Sequence, residues 1–137
     1  MKTIEEQLIL HEGYRKKPYR CTAGYLTIGV GINLDAGLDD EEIMFLLQHR
    51  LKKIITQLEQ FEWYAKLNHV RQKVLIDMAY NLGMAGLLKF KKMIAAIELG
   101  DYPEAARQMV HSQWYKQVKT RGERLAGMML TGADYTD

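Results

Sequence analysis

With 137 residues, 47% of them hydrophobic and 26% charged, the chain has the length of one domain that can bury a core without disulfides or metal. A net charge of +2 is too mild to point to nucleic acid, no run approaches the roughly 18 apolar residues of a membrane span, and the single cysteine, Cys21, excludes an internal disulfide. The opening Met1-Lys2-Thr3-Ile4-Glu5-Glu6-Gln7 is acidic and polar where a signal peptide would be basic and then greasy, so the expected compartment of synthesis is a cytoplasm.

In chain order, residues 3–12 suit a short helix with Ile4 and Leu8 on one face, stopped by Gly13. Residues 14–34 mix β-branched and aromatic residues with Pro18, Gly24, Gly29 and Gly31. That pattern predicts a small antiparallel sheet with tight turns. Asp39 is a good N-cap, with Glu41 and Glu42 in the first turn where the helix dipole favours acids. The helix it opens runs to about 58, with Ile43, Leu47, Leu51, Ile54 and Leu58 in one apolar stripe. A helix of that length suits a spine between two lobes.

Further on, Asn68 caps a helix over 69–82 that is apolar nearly all round and ends at Gly83. Another helix over 87–99 ends at Gly100, and Pro103 sits in the first turn of one over 103–112. Thr120 and Glu123 have the spacing of a capping box for a last helix, to about 130, before Gly132. The expected class is α+β, mostly helical with one small antiparallel sheet. The expected organisation is a single domain over 1–137: a sheet lobe at about 13–38, a linking helix at about 39–60, and a helical lobe at about 61–137 on which helix 3–12 packs.

Three residues near the start are candidates for chemistry. Glu12 lies at a helix C-terminus, where the dipole disfavours its charge; it is either a surface glutamate or a general acid that needs a compensating partner. Thr27 faces away from Leu26 and Ile28 on a strand, as an exposed strand-former or as a hydroxyl that orients water. Cys21 reads as a small half-buried side chain, or as a reactive thiol if something activates it; nothing beside it in sequence clearly does. His11 and His69 lack metal-type spacing, and no metal or cofactor is expected. Arg15, Lys16, Lys17 and Arg20 form one basic cluster, and Lys116, Lys119, Arg121 and Arg124 another. Each is a solvated face or a weak attractor of an anionic polymer.

Glu12, Thr27 fifteen positions later, and Gly24-Tyr25-Leu26-Thr27-Ile28-Gly29-Val30-Gly31 around the threonine resemble the phage-type lysozymes, the endolysin muramidases. The resemblance implies the lysozyme-like fold, with Glu12 as general acid and Thr27 helping to hold the attacking water. A second residue nine positions after the glutamate, usually aspartate, shares that task; here it is Cys21, within the family's range. Ala79-Tyr80-Asn81-Leu82-Gly83 resembles the cleft-lining helix end, so Tyr80 and Asn81, together with Asn33, are implied substrate-binding residues. Trp114-Tyr115 and Thr120-Arg121-Gly122-Glu123-Arg124 resemble the family's C-terminal tryptophan and arginine helix, with Arg121 as the ion-pair partner of Glu12. Ile32 stands where a histidine commonly follows the Gly-x-Gly. The stretch from Ile32 to Asp39 is short, which implies a smaller sheet lobe.

The implied reaction is inverting hydrolysis of the β-1,4 bond between N-acetylmuramic acid and N-acetylglucosamine in bacterial peptidoglycan. Cys21 is expected to seat water as a neutral thiol. The implied partners are peptidoglycan and a holin for access to the wall, with no nucleic acid and no membrane insertion. The implied state is a monomer held in the host cytoplasm until lysis. Two other readings remain: a lytic transglycosylase on the same bond, and a non-catalytic peptidoglycan-binding domain.

Overall fold

The structure is a computed structural model and describes residues 1–136. Its described residues form eight α-helices and a three-stranded antiparallel sheet, the α+β arrangement expected of a lysozyme-like chain. They divide into two compact units, residues 1–46 and the residues from Leu47 onward.

The first unit opens with α1, Ile4–Glu12. A capping box starts it: the Glu6 N–H donates to Thr3 Oγ1 at 3.1 Å and the Thr3 N–H to Glu6 Oε2 at 3.2 Å. Gly13, at φ +90°, ends it. Strands β1 (Arg15–Arg20), β2 (Leu26–Gly29) and β3 (Ile32–Asn33) follow, in the spatial order of the sequence. Tyr19 pairs with Thr27 and Thr27 with Asn33, and the β1–β2 register is irregular between Arg15 and Tyr19. A single 3₁₀ turn, Leu34–Ala36, leads out of the sheet. Asn33 Oδ1 caps it by accepting from the N–H groups of Asp35 (2.9 Å) and Ala36 (3.2 Å). Asp35 Oδ2 in turn accepts from the Leu26 N–H at 2.9 Å and so fixes the start of β2.

Helix α2, Asp40–Leu58, begins with the cap that Asp39 predicts. Asp39 Oδ1 accepts from the Glu42 N–H at 2.8 Å, and Glu42 Oε1 accepts from the Asp39 N–H at 2.9 Å. The second unit begins inside this helix, at Leu47. It continues with α3 (Glu62–Ala65), α4 (His69–Leu88), α5 (Lys91–Glu98), α6 (Tyr102–Val110), α7 (Gln113–Val118) and α8 (Thr120–Thr131). Asn68 caps α4 through the Arg71 N–H at 2.9 Å. Gly83, at φ +78° and ψ 161°, breaks that helix into two segments, so the predicted end at Gly83 is a kink.

Two local expectations need correction, and two short helices were not expected at all. The helix predicted over 87–99 is two pieces, because Leu87 and Leu88 complete α4 and Phe90, at ψ 60°, precedes α5. Thr120 does not cap α8: Lys119, at φ +54°, takes the N-cap position, and its carbonyl accepts from the Glu123 N–H at 3.1 Å. Helices α3 and α7, four and six residues long, are too short to show a periodicity in the sequence.

The core lies in the second unit. Leu58, Val74, Leu75, Met78, Leu87, Met93, Met109 and Met129 are fully buried, and α8 packs against α4, α6 and α7. Among the described residues no helix is long and apolar enough to cross a membrane.

Candidate active site

The sheet register builds one wall of a cleft. Cross-strand neighbours in an antiparallel sheet project from the same face. The pairings Tyr19 with Thr27 and Thr27 with Asn33 therefore set tyrosine, hydroxyl and amide in a row. That row lines a cavity of about 350 Å³ in the first unit, which Glu12, Cys21 and Tyr25 also line. Glu12 comes from the last turn of α1, and Cys21 from the turn that joins β1 to β2.

The Gly-x-Gly turn explains how Glu12 is seated. Gly29 and Gly31 both take φ +66°, a region that favours glycine. A Cβ on Gly31 would collide with the Glu12 carboxylate oxygen and lie 2.9 Å from its Cδ. The bare Cα thus lets the glutamate side chain lie against the turn.

Thr27 is buried, at 4% exposure, which rules out the exposed strand-former. Its hydroxyl donates to the Tyr25 carbonyl at 2.9 Å, leaving oxygen lone pairs to accept from a ligand. Asn33 has its carbonyl oxygen engaged by two backbone N–H groups, so its amide NH₂ is the group available to a substrate.

Cys21 is half-buried. Its turn is closed by the Cys21 N–H donating to the Tyr25 carbonyl at 3.0 Å and the Gly24 N–H to the Cys21 carbonyl at 2.9 Å. Within it the N–H of Tyr25 above all, and that of Ala23, bond the sulfur and hold the thiol below its ordinary value, against an opposing push from burial. The flanking sequence did not show these hydrogen bonds, because they form only across the turn. Arg20 plays no part in them, since its guanidinium donates to the Gly24 carbonyl at 3.0 Å.

The remaining candidates sit in the second unit. Asn81 Oδ1 accepts from the Trp114 indole N–H at 3.0 Å, and Trp114 is buried edge-on against Phe90 at 6.0 Å. Tyr80 is 44% exposed at the end of the first segment of α4. Arg121 holds Asp77: Nη2 and Nε lie 2.6 and 2.7 Å from Asp77 Oδ1. Within the second unit, then, the acid on Arg121 is Asp77. Asp77 is the one acid of α4, which also carries Arg71 and Lys73, and at 41% exposure no burial argument singles it out in the sequence. Tyr19, Tyr25 and His11, which line the cleft beside Glu12, were also missed as cleft residues; the first follows from the register once Thr27 is placed.

The phage lysozyme family model matches residues 10–131. The chain belongs to the phage lysozyme family. It is 31% identical to the pre-baseplate central spike protein Gp5 of Enterobacteria phage T4 over 95% of its own length, but spans only 28% of that protein. It is 27% identical to probable T4-type lysozyme 1 of Dictyostelium discoideum, with 95% of each chain covered. An endolysin from Acyrthosiphon pisum secondary endosymbiont phage 1 is 25% identical, covering 90% of this chain and 86% of the endolysin. The first two alignments run over 161 and 162 positions, more than this chain has residues, so those two relatives carry segments that it lacks.

Proposed function

We propose that this phage lysozyme family member is a muramidase. It hydrolyses the β-1,4 bond between N-acetylmuramic acid and N-acetylglucosamine in bacterial peptidoglycan. The observation that carries the reading is the convergence of Glu12, Cys21 and Thr27, from a helix end, a turn and a strand, on one cleft. Glu12 gives its proton to the leaving glycosidic oxygen as that bond breaks. Water held by Thr27 and Cys21 attacks the anomeric carbon from the opposite face and releases its proton to the solvent. The product inverts configuration. Asn33, Tyr80 and Asn81 bind glycan, and Arg121, which pairs with Asp77, is the residue that the resemblance makes a supporting ion-pair partner. As an endolysin it reaches the wall after holin-dependent release.

The test is product analysis on purified peptidoglycan with wild type and Glu12→Gln. Wild type should release free reducing ends, and the Gln variant should lose roughly 10²–10⁴-fold in rate with an unchanged circular dichroism spectrum. A folded Gln variant that keeps a tenth of the rate removes Glu12 from the role. Anhydro-sugar products would instead make the protein a lytic transglycosylase.

A further inference from the structure

Strand β1 carries four cations in six residues, Arg15, Lys16, Lys17 and Arg20, all exposed. It is an edge strand, and among the described residues none of the four makes an ion pair. Several acids of the same unit are already engaged by backbone N–H groups: Glu6, Asp35, Asp39 and Glu42. Charges on an edge strand keep it from pairing with another chain, which accounts for the two lysines. Arg20 is tied to the Gly24 carbonyl.

Arg15 is different. Its guanidinium carbon lies 4.7 Å from the centroid of the Tyr19 ring, and Tyr19 lines the cleft that holds Glu12, Cys21 and Thr27. Stacking uses the flat face of a guanidinium and leaves its N–H fork free at the edge. A fork of that shape matches a carboxylate through two parallel hydrogen bonds. Tyr19 is also the direct cross-strand neighbour of Thr27, so a guanidinium beside the Tyr19 ring stands next to the wall that carries the threonine hydroxyl, though Arg15 is not itself one of the residues lining the cavity.

We propose that Arg15, over the Tyr19 ring at the edge of the cleft, is a specificity residue that recognises a carboxylate of the peptide borne by muramic acid. The proposal rests on the muramidase reading. N-acetylglucosamine is neutral and the lactyl carboxyl of muramic acid is tied up as an amide. The free acids of that peptide are therefore the anions that a cleft on this substrate meets.

The experiment measures binding of a soluble muramyl-peptide disaccharide and of the same fragment with its peptide carboxylates amidated. Wild type should bind the free-acid form roughly threefold to tenfold more tightly, with the preference shrinking as salt is raised. Arg15→Ala should bind both forms alike, and Arg15→Lys, which keeps the charge but loses the fork, should fall between. Equal binding of the two forms by wild type overturns the proposal, as does a preference that survives in Arg15→Ala. Binding of neither form also overturns it. A parallel assay of reducing ends from whole peptidoglycan shows whether the muramidase reading falls too: wild type that cleaves the wall leaves that reading standing while Arg15 loses its role.

Discussion

Cys21 is a thiol on the wall of the cleft, and its neighbours decide what that thiol can do. An ordinary thiol, with a pKa of about 8.5, is mostly protonated at pH 7 and a poor base. The N–H groups of Tyr25 and Ala23 bond the sulfur and hold it below its ordinary value, because an N–H favours the anion it faces. The sign is that of a depressed acid: the folded state favours the thiolate, so this contribution to stability is present above the unfolded thiol's pKa and fades as pH falls through the folded one. The alkylation rate of Cys21 by iodoacetamide should therefore reach half its plateau at a lower pH than for the urea-unfolded chain. Cys21→Asp should keep substantial lytic activity, since a carboxylate can seat water and accept its proton. Cys21→Ser keeps a group that hydrogen-bonds water and should retain a measurable fraction of the rate. A nearly inactive serine variant would instead make the thiolate a base.

Among the elements, the turn between β2 and β3 is where backbone geometry and chemistry meet most closely. Gly29 and Gly31 share φ +66°, and an L side chain there costs about 1–2 kcal/mol. Their surroundings differ. A Cβ on Gly29 would meet only Ile32 Cδ1, at 3.4 Å, whereas one on Gly31 collides with the Glu12 carboxylate. Both Gly29→Ala and Gly31→Ala should lower stability by about that backbone cost in urea unfolding. Gly31→Ala should also lose most of its lytic activity, while Gly29→Ala keeps it. Equal activities would mean that the seating of Glu12 against the turn does not matter. The Gly-x-Gly spacing was legible in the sequence because a positive φ has so few other solutions. The caps at Asp39 and Asn68 were legible for a similar reason: the acceptor and the N–H it satisfies are three residues apart. Less local features were hidden. Lys119 takes the N-cap of α8 from Thr120 through a positive φ that no non-glycine residue advertises. The Asp77–Arg121 pair joins residues 44 positions apart, and the N–H groups around Cys21 converge only once the turn has its conformation.

Across the whole molecule, burial is distributed unevenly. Among the described residues of the first unit only Thr27 is buried, whereas the second unit holds every buried hydrophobic side chain. Five of the eight methionines are in that core, Met78, Met93, Met109, Met128 and Met129, where flexible thioethers fill irregular gaps. Resistance to local opening follows from buried apolar contacts, so segments without them open well below the free energy of global unfolding. The amides of Val74 to Ala79 in α4 should accordingly exchange with deuterium only through global unfolding, and their rates should track stability as urea is added. Those of β1 to β3 should exchange orders of magnitude faster and with little urea dependence. The elements that carry Cys21 and Thr27 would then be the least rigid in the chain, as suits a cleft that has to admit a cross-linked polymer. Saturating soluble glycan should slow exchange in β1 to β3 selectively, because a ligand that binds only the closed form adds its binding free energy to the cost of opening. Sheet amides as protected as those of α4 in the free protein would show that Thr27 and the strand hydrogen bonds suffice to hold the first unit rigid.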